Sequence, residues 1–110
     1  MPDEEGHPET AEIALGPVLA ALADPNRRRV VRELALAPAG EARTCVSFGL
    51  PVSKATLTYH FRTLREAGLI RQVSRGNSRT ATLRRAEIDQ LFPGLLAIIA
   101  EERGDGQAEE

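Results

Sequence analysis

Residues 53–62 read Ser-Lys-Ala-Thr-Leu-Thr-Tyr-His-Phe-Arg, and their types suit the reading of a nucleic-acid duplex. Lys54 can donate to the acceptors of guanine, and the methyl groups of Ala55 and Thr58 can touch that of thymine. Ser53, with the free N–H groups of a helix start, can hold a phosphate. Tyr59 and Arg62 lie on the same side as Lys54, Ala55 and Thr58 if the segment is helical. Farther on, Arg75, Asn77 and Arg79 supply donors suited to phosphates or to the minor groove.

Such residues act together only if the chain positions them. Leu57, Phe61 and Leu64 recur at i, i+4 and i+7, the buried stripe of a helix running from Lys54 to Ala67. Ser53 is its N-cap, and Gly68 sits where a left-handed C-terminal cap belongs. Leu69–Ser74 and Arg79–Arg84 flank Arg75-Gly76-Asn77-Ser78, a cluster of turn formers, so the sequence predicts a β-hairpin there.

Upstream, an apolar stripe of Ile13, Val18, Leu19 and Leu22 predicts a helix from near Thr10, weakened at Gly16-Pro17. Asp24-Pro25 is a strong start for the next helix, with Val30, Val31 and Leu34 inward and Arg27, Arg28, Arg29 and Arg32 around them. Residues 41–49 read as a short helix with Val46 and Cys45 facing in. Ala86–Glu102 reads as helical, with Pro93-Gly94 starting its second half. The expected fold class is mainly α with a small β-hairpin wing (α+β), a winged helix-turn-helix over residues 10–102. Acidic, disordered segments are expected at 1–9 and 103–110.

The composition narrows the function classes. The formal net charge of −2 conceals three blocks. Residues 1–25 hold six acids and no Lys or Arg, residues 26–85 hold thirteen bases and three acids, and residues 86–110 hold seven acids and Arg103. A centre of +10 between ends of −6 each suits a polyanionic partner. No apolar run approaches the ~18–20 residues of a membrane span, and the acidic start lacks the basic and apolar regions of a signal peptide. One cysteine, Cys45, excludes an intramolecular disulfide and an all-cysteine metal cage. A reduced, cytoplasmic protein is expected. There is no Ser/His/Asp spacing, glycine-rich phosphate loop or ligand cluster, and Asp24, Glu33 and Glu66 read as a cap and helix-surface carboxylates, so enzyme chemistry is not expected.

Three stretches, LADPNRRRVVRELA at 22–35, VSKATLTYHFRTLREAGLIRQ at 52–72 and RGNSRTATLR at 75–84, resemble the arsenic-repressor (ArsR-type) bacterial winged-helix regulators. The resemblance implies a homodimer joined by its first and last helices, a palindromic operator, and repression relieved by a small-molecule effector of unknown identity. By family position Ser53, Lys54, Ala55, Thr58, Tyr59 and His60 fall on the recognition helix. Leu19, Leu91, Phe92, Leu95, Leu96 and Ile99 fall on the dimerising helices. The last of these has more apolar surface than 110 residues, sixteen of them Ala, easily cover alone. Many relatives sense metals through a Cys-x-Cys pair or through His and carboxylate ligands on the last helix. Here the short segment reads Arg43-Thr44-Cys45-Val46-Ser47 and the last helix has no histidine, so no metal site is expected. Cys45 reads as a small buried hydrophobe rather than a redox sensor, which would need exposure and a lowered pKa. A winged-helix module that places its basic face on an acidic protein is the alternative to DNA.

Overall fold

The computed structural model describes residue 3 and residues 5–102; the acidic tail expected over 103–110 lies outside the described residues. After a 3-10 turn at Thr10–Glu12 come α1 (Leu15–Ala23), α2 (Pro25–Leu36), β1 (Ala42–Thr44), a second 3-10 turn (Cys45–Phe48) and α3 (Lys54–Ala67). The chain continues through β2 (Ile70–Arg75), β3 (Ser78–Leu83), α4 (Arg85–Leu91) and α5 (Leu95–Ala100). The strands form one antiparallel sheet in the order β1-β3-β2. This is the mainly helical, winged arrangement that the sequence predicts.

Local chemistry sets the ends of the central helices. Asp24 accepts from the N–H groups of Asn26 (2.8 Å) and Arg27 (3.2 Å), and Pro25 occupies the first helical position. At the other end of α2 the Arg85 guanidinium donates to the carbonyls of Leu34, Ala35 and Ala37 at 3.1–3.2 Å. The carbonyls of Ala35 and Ala37 are groups that a helix end leaves without intrahelical donors, while that of Leu34 also accepts the Ala37 N–H at 3.2 Å. α5 packs along α2. Val18, Val30, Val31, Leu34, Phe48, Phe61, Leu64, Leu69, Ile70 and Ile88 are fully buried, each large aliphatic or aromatic side chain contributing roughly 1.5–3 kcal/mol.

Gly68 closes α3 at φ 91°, and a Cβ there would stand 2.5 Å from Cγ1 of Ile13. The position therefore needs glycine twice, for its backbone angle and for the approach of Ile13, which closes the first 3-10 turn. The wing turns over Gly76 and Asn77. Gly76 takes φ 63° and Arg75 pairs with Ser78, which is how a two-residue hairpin turn with glycine first is built.

Four segments differ from the sequence reading. Residues 42–44 pair with 80–82 as β1 instead of winding into a helix, so only the 3-10 turn 45–48 is helical. With that turn's tighter period Phe48 goes inside, while Val46 is 74% exposed and Cys45 half-buried. The first helix begins at Leu15, because Pro17 is tolerated only within a helix's first turn. Pro93-Gly94 separates α4 from α5, with Gly94 at φ 91°. In the N-terminal segment His7 is 4% exposed. Its Nε2 accepts the N–H of Gln72 at 2.9 Å and its Nδ1 lies 3.0 Å from Asp3 Oδ2.

Candidate nucleic-acid interface

The N-terminus of α3 is built by Ser53. Its Oγ accepts the N–H of Thr56 at 3.1 Å and donates to Thr56 Oγ1 at 3.0 Å. Past this cap, His60, Phe61, Leu64 and Ala67 are buried, and the helix is steadied from below by the Phe48 ring, 5.8 Å from that of Phe61. Lys54, Ala55, Thr58, Tyr59 and Arg62 remain exposed, a single row along the outer side of the helix. Two guanidinium groups, those of Arg27 and Arg62, lie near the Tyr59 ring, each 5.8 Å from its centroid.

His60 is the exception among the sequence-derived candidates. Its ring is 5% exposed. Nδ1 lies 3.1 Å from an Arg27 guanidinium nitrogen and Nε2 lies 4.0 Å from Asp24 Oδ1. A guanidinium can only donate, so Nδ1 is the acceptor and the ring ties α3 to the start of α2. It offers no atom to a ligand outside. Arg27, which the sequence marks only as helix surface, also donates to Ala21 O at 2.7 Å, so one side chain fixes α1, α2 and α3 together. No spacing in the sequence points to that role, because its acceptors are set by the packing of three helices.

On the wing, Arg75, Asn77 and Arg79 are all exposed. Side chains alternate along a strand. Arg79 therefore shares the face of buried Ala81 and Leu83, toward α3, whereas Arg75 shares the opposite face with Arg71 and Val73. The two arginines flank the hairpin tip from opposite sides.

Most of the basic centre is engaged within the protein. Arg28 meets Glu102 at 2.9 Å and Arg29 meets Glu33 at 2.8 Å. Arg43 meets Glu33 at 2.8 Å, with its guanidinium 4.0 Å over the Phe48 ring. Arg65 donates to Gln72 Oε1 and Arg84 to Glu87 Oε2, both at 2.7 Å. Burial alone would raise Glu33, but the bonds from Arg29 and Arg43 outweigh it and hold the carboxyl below its usual value. The Arg84 bond does the same for Glu87, against burial and with help from Thr10. The side chains of Lys54, Arg62, Arg75 and Arg79, by contrast, form no hydrogen bond or ion pair with any described residue.

Cys45 stands where the resemblance would put one of two thiolates. Burial pushes its thiol up, although the Gln72 amide, which donates to Sγ at 3.6 Å, and Arg79 pull the other way. Ser47 Oγ is engaged with Thr44 O at 2.7 Å. A neutral thiol beside a committed hydroxyl does not fit a thiolate metal site. Among the described residues no three His, Cys, Asp or Glu come together as a metal site, and no helix is long and apolar enough to cross a membrane.

A helix-turn-helix domain model matches residues 22–73, the span from the end of α1 into β2. A capped helix set on a turn and flanked by a basic hairpin defines a winged helix-turn-helix DNA-binding domain, and the protein is a transcriptional regulator of that class. The chain is 36% identical over 83 residues to the uncharacterized HTH-type transcriptional regulator YceK of Bacillus subtilis (strain 168), covering 72% of this chain and 79% of that one. A solved structure described as a possible transcriptional regulator for arsenical resistance is similar at 30% identity and a TM-score of 0.57, covering 71% and 78%. An ArsR-like transcriptional regulator from Rhodococcus sp. RHA1 is similar at 28% identity and a TM-score of 0.56, covering 78% and 79%. A further ArsR family regulator, 22% identical with a TM-score of 0.60 over 76% and 85%, shares the fold. The chain belongs to the ArsR-type family of transcriptional regulators.

Proposed function

We propose that the protein is a homodimeric, sequence-specific repressor acting on a palindromic operator in the cytoplasm, with α3 in the major groove and the wing on the neighbouring backbone or minor groove. The observation that carries this is the exposed row Lys54, Ala55, Thr58, Tyr59 and Arg62 beyond a satisfied cap, with cations that no described carboxylate neutralises. Ser53, Arg75, Asn77 and Arg79 complete the contact set; His60 drops out of it because its ring is committed inward. Binding-site selection followed by fluorescence anisotropy tests the assignment. Lys54→Ala and Tyr59→Ala each cost about 1–3 kcal/mol per lost base contact and relax sequence preference. Unchanged affinity and preference in both would remove α3 from the interface. Negligible duplex binding at low salt would favour the acidic-protein partner instead.

For the dimer, the supporting observation is the apolar surface left outside. Leu15 and Leu19 on α1 are each 49% exposed and Ile98 on α5 is 70% exposed. Leu91, Phe92 and Leu95 are partly buried against the core, whereas Leu96 and Ile99 are core residues of the single chain. They shape α5 and leave Ile98 to face a partner. A two-fold dimer would read half-sites roughly 34–36 Å apart, one turn of DNA. Sedimentation equilibrium at micromolar concentration would give twice the 11.9 kDa chain mass, and Ile98→Glu would halve it. A wild-type mass of one chain defeats the dimer.

A further inference from the structure

Beside the row on α3 lies a cavity of about 280 Å³ between that helix, the second 3-10 turn and the wing. At ~30 Å³ for each water-sized group it has room for roughly nine. Phe61 and Leu57 line it from α3, and Val46 from the turn. Lys54 and Arg79, both exposed, line it on the solvent side. Two facts about this lining bear on what it could hold. Val46 is an aliphatic side chain left largely in water, although the neighbouring Phe48 is wholly buried. And the lining holds two cations and no carboxylate, in a chain where acids outnumber bases sixteen to fourteen.

An apolar recess under two unneutralised cations is complementary to an amphipathic anion. A neutral apolar molecule would leave the charges unanswered, and a phosphate would leave the recess empty. Cys45, which also lines the cavity, adds no opposing charge, because burial keeps its thiol protonated near neutral pH. We infer that this cavity binds a small aryl or alkyl carboxylate, its body on Val46, Leu57 and Phe61 and its charge at Lys54 and Arg79. Lys54 and Arg79 are also assigned here to DNA, so the inference deepens the proposed function: ligand and operator compete for the same cations, and the acid is an effector that acts at the reading face itself.

The test uses benzoate and its uncharged twin benzamide on the full chain, first without DNA. Thermal melts of the wild type should show a saturable rise with millimolar benzoate and little with benzamide, since a ligand of the native state raises its apparent stability. Val46→Trp, at a position with space in solvent, should fill the recess and abolish the rise. Arg79→Gln should weaken it several-fold. Far-UV circular dichroism and the ligand-free melting temperature establish that both variants are folded. In anisotropy titrations benzoate should then raise the apparent Kd for the selected operator in the wild type and not in Val46→Trp. A saturable benzoate response without any duplex binding keeps the site and defeats the DNA reading. Duplex binding with no saturable response defeats this inference alone. It is equally overturned by a rise that is the same for benzamide, or the same in Val46→Trp and Arg79→Gln as in the wild type.

Discussion

The cations of the body and those of the reading face come from the same stretch of sequence and do opposite work. Arg27, Arg28, Arg29, Arg43, Arg65, Arg84 and Arg85 each donate to a carboxylate, a carbonyl or a buried ring nitrogen or amide. They act as struts, several of them between elements far apart in the chain, as when Arg28 reaches Glu102 and Arg85 reaches Leu34. Lys54, Arg62, Arg75 and Arg79 have no such partner among the described residues and stand in solvent. The +10 of residues 26–85 is therefore not the charge offered to DNA. A guanidinium fork reaches several acceptors at once, which suits arginine to this bracing. The comparison teaches that a basic stretch measures two quantities added together, one structural and one electrostatic.

The sharpest way to separate the two is to damage packing without touching either set of cations. Gly68→Ala forces a left-handed angle on a residue with a Cβ and drives that Cβ against Ile13. It should cost about 2–5 kcal/mol in urea unfolding, with DNA affinity unchanged in whatever fraction is folded. Next comes a strut. Arg84, whose side chain is 2% exposed, bonds Glu87 at 2.7 Å and Pro8 O at 2.8 Å. Arg84→Met should cost about 2–3 kcal/mol, less than a wholly buried pair because Glu87 keeps contact with water. A loss under half a kilocalorie would break the division into struts and free charges. On the other side, Arg75→Gln and Arg79→Gln should leave stability within about 0.5 kcal/mol. Each should lower the salt slope of DNA binding by about one, and an unaltered slope in both would show that the wing does not reach phosphates.

The smallest effect is the acid limb. Glu33 and Glu87 are held below the usual value of 4.5 by their arginines. The stability they add is thus complete above that value and is lost as pH falls through the lowered ones. Melting temperatures between pH 7 and 3 should fall on that limb, and Glu87→Gln should flatten it while leaving the response to salt of DNA binding as it was.

What was legible in the sequence was what depends on near neighbours. The Asp24-Pro25 start, the Ser53 cap, the Gly68 end and the Arg75–Ser78 turn are each decided within about four residues, and each could be read. The strand at 42–44 was not, because its hydrogen bonds lie on β3, some 38 residues on. His60 carries the polarity of a reading residue, and only the packing of α2 against α3 turns its ring to Arg27. The row on α3 was readable from helical period alone. The division of the arginines was not, since Arg85 finds its acceptors at the end of α2, 48 to 51 residues away.

The docking of His7 on Gln72 has a consequence for the sheet's outer border. β2 pairs only with β3, and an edge strand exposes backbone groups on which another chain can extend the sheet. By accepting the Gln72 N–H, the imidazole occupies a donor on that border, near its middle, and the acidic residues around it make the approach of a second acidic chain start unfavourable. The opening segment is in this sense a guard against sheet-to-sheet accretion, and a chain shortened past His7 would carry an open border into every concentrated solution.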